Sequence, residues 1–209
     1  MDYLNTIEYR ISPVRALKIT RNCSGCGRKT FFISTGQFRI NANGSFIDIW
    51  LVYQCEKCRH TYNLAVYERT KAKKIPKQQY QSFLCNDEAP ALRCGTDLDL
   101  FKRNKAEADI NGLEYRYEKI EPKALEAEAA KVSVGSALSV ETDNGCVRII
   151  IQNPYRLKVR IDKLLPELTK ISRSQMKKLI QEEKICFAGT YLAERTEIIL
   201  CFPFSPLPF

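Results

Sequence analysis

The sequence predicts an α+β protein in three parts: a metal-bearing β-ribbon over residues 1–70, a helical connecting region over 71–145 and a C-terminal α/β module over 146–209. Three observations predict it. Two Cys-x-x-Cys pairs bracket a run rich in Ile, Phe, Tyr, Val and Thr. Short helical windows fill the middle. Two amphipathic helical segments, followed by two apolar runs, close the chain.

In the first part, LKITRNC, KTFFISTGQFRIN and SFIDIWLVYQC carry the β-branched and aromatic residues that suit a pleated, half-buried surface. Asn41-Ala42-Asn43-Gly44 supplies a hairpin turn, and TYNLAVYE continues as a further strand. Cys23-x-x-Cys26 and Cys55-x-x-Cys58 each let one tight turn aim two sulfurs at the same ion. Together they complete a tetrahedral four-thiolate shell, a soft-ligand set that suits Zn2+. Gly25 and Gly27 fit the first turn, and a long hairpin accounts for the 28 residues between the pairs. A catalytic zinc keeps one position open, whereas four thiolates fill the shell, so one structural Zn2+ is expected. His60, the sole histidine, could replace a thiolate or support one, but a surface role is the simpler reading. Trp50, Tyr53 and Tyr62 beside Arg39 could stack bases, or could bury the ribbon against the helical region.

The middle begins with a basic, proline-broken connector, ERTKAKKIPKQ. Residues 76–105 then suit short helices, with Tyr80, Phe83 and Leu84 at helical spacing and Leu98, Leu100 and Phe101 less regularly placed. PKALEAEAAK, residues 122–131, is a strong helical window with proline near its start. Residues 106–146 carry four Lys and Arg against nine Asp and Glu.

In the last part CVRIIIQN reads as a buried strand, followed by a helix in LKVRIDKLLPELTK with Leu164, Leu165 and Leu168 as its apolar stripe. SRSQMKKLIQEEKI gives a second helix. Ser172 and Gln175 have capping-box spacing; Met176, Leu179 and Ile180 share one face; Arg173, Lys177 and Lys178 lie on the adjoining arc. The exposed N–H groups of that helix start, beside Arg173, make a natural phosphate seat. KICFAG and TEIILCF read as returning strands, and FPFSPLPF docks as an extended segment or frays. Residues 147–190 hold ten Lys and Arg against four acids, which points to a polyanionic partner.

Arg160-Ile161-Asp162-Lys163-Leu164-Leu165, Ser172-Arg173-Ser174-Gln175 through Leu179-Ile180, Lys184-Ile185 and Gly189 resemble the S-four RNA-binding domain. The resemblance implies that Arg160, Lys163, Arg173, Lys177 and Lys178 line an RNA-facing side; Ser172, Ser174 and Gln175 are expected to add hydrogen bonds near the helix start, and Lys184 completes the expected RNA-binding set. Two positions depart from it: Pro166 should kink or delay the first helix, and Ala188 precedes Gly189 where Asn is usual. Over the full chain, the ribbon and this segment together resemble a bacterial family catalogued as domain of unknown function 1062, which implies a zinc ribbon and no stated activity.

The expected function is non-catalytic binding of structured RNA, ribosomal or transfer. The alternative is a protein-interaction adaptor that docks partners through the ribbon, the acidic middle or the C-terminal tail. An enzyme is disfavoured by one histidine, no Gly-rich phosphate loop and no open-shell metal set. The N-terminus lacks a secretory pattern and FIDIWLVY is too short to span a bilayer, so a cytoplasmic protein is expected. In that reducing setting Cys85, Cys94, Cys146, Cys186 and Cys201 are expected as separate thiols rather than a disulfide framework.

Overall fold

The structure, a computed structural model, describes residues 5–121 and 146–201. The chain divides into two compact units. A ribbon unit comprises residues 12–116 with 155–157; a terminal unit comprises residues 1–11, 117–154 and 158–209. Mixed α+β structure was expected and is found. The expected helix over 122–131 and the tail from 202 onward lie outside the described residues.

In the ribbon unit, β2 (Ile19–Cys23), β3 (Arg28–Asn43), β4 (Phe46–Cys55), β5 (Thr61–Lys71) and the short β6 (Glu107–Ala108) form one sheet, ordered β5-β4-β3-β2-β6. The β3–β4 hairpin turns at Gly44 and Ser45, with Gly44 at φ +59°, a conformation glycine takes without steric cost. β4 shows the period of a half-buried strand: Ile47, Ile49, Leu51, Tyr53 and Cys55 are buried and their neighbours are not. Three short helices lie between β5 and β6: α1 (Lys77–Leu84), α2 (Glu88–Cys94) and α3 (Leu98–Arg103). Leu100 and Phe101 of α3 join Leu17, Ile19, Phe32, Leu51, Tyr53 and Leu64 in one core, and Tyr53 meets the Phe101 ring edge-on at 6.4 Å. Phe83 of α1 closes a second cluster with Ile47, Ile49 and Ile75.

β5 is an edge strand, and the side chain of Asn104, just past α3, caps it. The Ala65 N–H donates to Asn104 Oδ1 at 2.8 Å, and Asn104 Nδ2 donates to the Ala65 carbonyl at 2.9 Å. One side-chain amide thus replaces a missing neighbouring strand at that point.

The terminal unit holds a sheet ordered β7-β1-β8-β10-β9, from β1 (Asn5–Pro13), β7 (Tyr115–Ile120), β8 (Cys146–Gln152), β9 (Ile185–Phe187) and β10 (Arg195–Cys201). β1 runs parallel to β8, with Ile7 beside Ile149, while β8–β10 and β10–β9 are antiparallel. Between β8 and β9 come α4 (Ile161–Thr169) and α5 (Arg173–Gln181). Leu164, Leu165 and Leu168 of α4 and Met176 of α5 are buried, as their helical spacing predicts. α4 starts at Ile161, ahead of Pro166, so the proline does not delay it.

One expectation is corrected. Cys146 and Cys201 are joined in a disulfide rather than standing as separate thiols. They are 55 residues apart in sequence but directly opposed in the β8–β10 register, which spacing alone does not reveal.

Candidate metal centre and basic helix pair

Cys23 ends β2 and Cys26 lies in the turn to β3; Cys55 ends β4 and Cys58 lies in the turn that follows it, before β5. The two turns are built alike. Gly27 N–H donates to the Cys23 carbonyl at 2.9 Å, and Arg59 N–H donates to the Cys55 carbonyl at 3.0 Å. Both closing residues are left-handed, Gly27 at φ +66° and Arg59 at φ +63°.

These turns bring all four Sγ atoms within 4.8 Å of one another, a set that could hold a metal ion. Cys23 and Cys58 Sγ lie 3.4 Å apart, and Cys26 and Cys55 Sγ 3.8 Å. A tetrahedral zinc site with bonds of about 2.3 Å requires sulfur separations of about 3.8 Å, so the donor set fits. Cys23 and Cys55 are buried in the ribbon core, Cys26 is half-buried and Cys58 is exposed. Gly25 lies close to the thiols: a Cβ there would sit 3.0 Å from Cys58 Sγ, tighter than ordinary contact.

The thiols differ in their readiness to ionise. Cys55 is lowered to about 6, first by the backbone N–H of Cys58 and then by the Thr30 hydroxyl, 3.3 Å from its sulfur. Cys26 is pushed up to about 12, chiefly by its hydrogen bond with Cys58. With thiols this close, successive ionisation is opposed by like charge, and a bound cation relieves that opposition. His60 lies outside the thiol group; its Nε2 is 2.8 Å from Ser24 Oγ, linking the second turn to the first.

The aromatic group suggested by the sequence is divided by the sheet. Tyr53 is fully buried on the face that carries the core. Tyr62, paired with it across β4–β5, contacts that core, with the Arg21 guanidinium 3.5 Å over its ring. Trp50 stands opposite Arg39 on the other face.

In the terminal unit, Ser172 and Gln175 form the capping box: Gln175 N–H donates to Ser172 Oγ and Ser172 N–H to Gln175 Oε1, both at 3.3 Å. Ser174 Oγ lies 3.1 Å from Ser172 Oγ, so these three polar groups are engaged with one another. Arg173, Lys177 and Lys178 are exposed, while Leu179 and Ile180 are half-buried. Arg160 makes two 2.9 Å bonds to Asp162, which hold the Asp162 carboxyl below its usual range. Lys184 pairs with Glu182 at 2.7 Å, and Lys178 approaches the same carboxylate at 3.8 Å. Among the described residues no ion pair engages Lys163, Arg173 or Lys177.

Sequence reasoning missed β1, although Ile7, Tyr9 and Ile11 alternate cleanly with Glu8, Arg10 and Ser12. It also missed Arg59, because a left-handed non-glycine residue leaves no signal in composition. No helix among the described residues is long and apolar enough to cross a membrane. Comparison with known families matches residues 40–190 to one described as “Protein of unknown function (DUF1062)”. No curated protein and no solved structure matches the chain.

Proposed function

The chain belongs to that family, and from its geometry we propose that the protein binds structured RNA without catalysing a reaction. In this reading the α4–α5 segment is an S-four-like surface, and one structural Zn2+ on Cys23, Cys26, Cys55 and Cys58 holds a zinc ribbon together. The zinc would supply cross-linking of two turns and no reactive position, because thiolates fill the shell.

The carrying observation is the start of α5. Its cap is formed, its apolar face is turned inward at Met176, and Arg173 and Lys177 stand exposed without ion-pair partners among the described residues. Free backbone N–H groups, the positive end of the helix dipole and two available cations favour a phosphate there. Arg160 contributes less, since Asp162 already takes both arms of its guanidinium. Phosphate contacts of this kind fix position on RNA rather than read its sequence.

The test is a salt titration with a transfer RNA or a ribosomal RNA hairpin. Affinity falls steeply as salt rises, Arg173→Glu with Lys177→Glu reduces it at least ten-fold, and Arg160→Ala has the smaller effect. Salt-independent binding, or unchanged affinity in the double variant, rejects the RNA reading and favours a protein-binding adaptor.

A further inference from the structure

Charge is divided unequally between the two units. The ribbon unit carries nineteen Lys and Arg against ten Asp and Glu, a net +9, whereas the terminal unit carries fourteen of each. The chain's whole excess therefore resides in the unit that carries the thiol centre rather than in the one that carries α5. Half of the ribbon unit's excess gathers where β5 ends. Arg69, Lys71, Lys73, Lys74 and Lys77 follow one another with no acid between them, and all five are exposed. Among the described residues none of the five side chains enters an ion pair.

Strand register places Lys71 of this basic run on one face of the sheet. Directly opposed residues of an antiparallel pair share a face, so Lys71 shares one with Phe46, and Arg39 and Ala65 share one with Trp50. Phe46, Asp48, Trp50, Val52 and Gln54 alternate with the buried residues of β4, so this face points away from the core. Phe46 is 38% exposed, and Phe31, next to the buried Phe32 on β3, is 45% exposed. Trp50 lies in a shallow depression of about 410 Å³ completed by Arg39, Ile40, Asn41 and Asn63. Asp48, the carboxylate of this row, already accepts the Arg69 backbone N–H at 2.6 Å.

We propose that this outer sheet face of the ribbon unit is a binding site for single-stranded nucleic acid, distinct from α5. Trp50 and Phe46, four residues apart on one strand and so about 13 Å apart, each take the face of a different base. Arg39 and Lys71 lie beside them on the same face, and Lys73 and Lys74 extend the cationic track for the backbone. Asn41 and Asn63 offer amide groups to base edges. A duplex hides its base faces by stacking and meets only the cations; a single strand meets both sets of groups. An acidic peptide would use the lysines but leave Trp50 without a partner.

Trp50 is the only tryptophan, so its emission reports this face alone. Oligouridylate added at low salt quenches that emission to saturation. By anisotropy of a labelled oligouridylate, Trp50→Ala and Lys73→Glu/Lys74→Glu each weaken binding about ten-fold or more, while Trp50→Phe retains most of it. Urea midpoints equal to the wild type's show that the variants are folded. Arg173→Glu leaves the quench unchanged, so failure of the α5 surface and of this one are told apart. The proposal is overturned by any of four results: no quench up to about 1 mM oligouridylate; binding without a change in Trp50 emission; wild-type affinity in Trp50→Ala; or an equal quench by polyglutamate.

Discussion

Gly27 and Arg59 occupy equivalent places in the two cysteine turns: each is left-handed, and each returns its N–H to the carbonyl of the first cysteine of its pair. Only one of them is a residue suited to that backbone. An L side chain in the left-handed region costs about 1 kcal/mol, so the second turn is held in place by what surrounds it. Gly27→Ala should therefore lower stability by about 1 kcal/mol, while Arg59→Gly should be neutral or slightly stabilising. Urea denaturation of the two variants measures both, and a destabilised Arg59→Gly would refute the equivalence.

Loss of the metal should unfold the ribbon unit, because both turns meet at the thiols and two of these thiols lie in the core. Elemental analysis should give one zinc per chain, and Cys55→Ser with Cys58→Ser should abolish it. Gly25→Ala is the subtler probe: its methyl group would press on Cys58 Sγ from 3.0 Å. Competition with a chromophoric chelator should show weakened zinc affinity in that variant while its zinc-saturated form keeps wild-type circular dichroism.

Thr30 favours the thiolate form of Cys55, second to the backbone N–H of Cys58. Its hydroxyl helps the Cys58 N–H hold the Cys55 thiol down at about 6. A thiol with a lowered value gives up its proton to a metal more readily, so protons compete with the metal only at lower pH. Thr30→Val removes one stabiliser of the thiolate, so zinc release on acidification should begin at higher pH. An unshifted release curve would assign the effect to the backbone N–H groups alone.

Asn104→Ala should expose the cost of an open edge. The side chain satisfies both polar groups of Ala65 and also donates to the Leu100 carbonyl at 2.9 Å. Its removal should cost about 1–3 kcal/mol in urea denaturation and speed exchange of the Ala65 amide.

What the sequence made legible was local. Two cysteines separated by two residues constrain one turn, and Ser172 with Gln175 constrains one helix start, so both motifs are found as written. Face assignment within a strand was equally local. Trp50 and Tyr53 differ by an odd number of positions on one strand and must point to opposite faces. That parity argues against one shared aromatic platform. Long-range pairing was not legible: Ile7, Tyr9 and Ile11 announce a strand, but nothing near them names β8, more than a hundred residues on, as its partner. The bulge in β3 between Ser34 and Phe38 was hidden as well, although Gly36 at φ +74° lies within it.

The bond between Cys146 and Cys201 closes β8, α4, α5, β9 and β10 into a covalent ring. A protease that cuts once inside that ring makes a nick, not a truncation. The two pieces migrate as one species on a denaturing gel until a reductant is added, and α5 stays tethered to the rest of the chain after the cut.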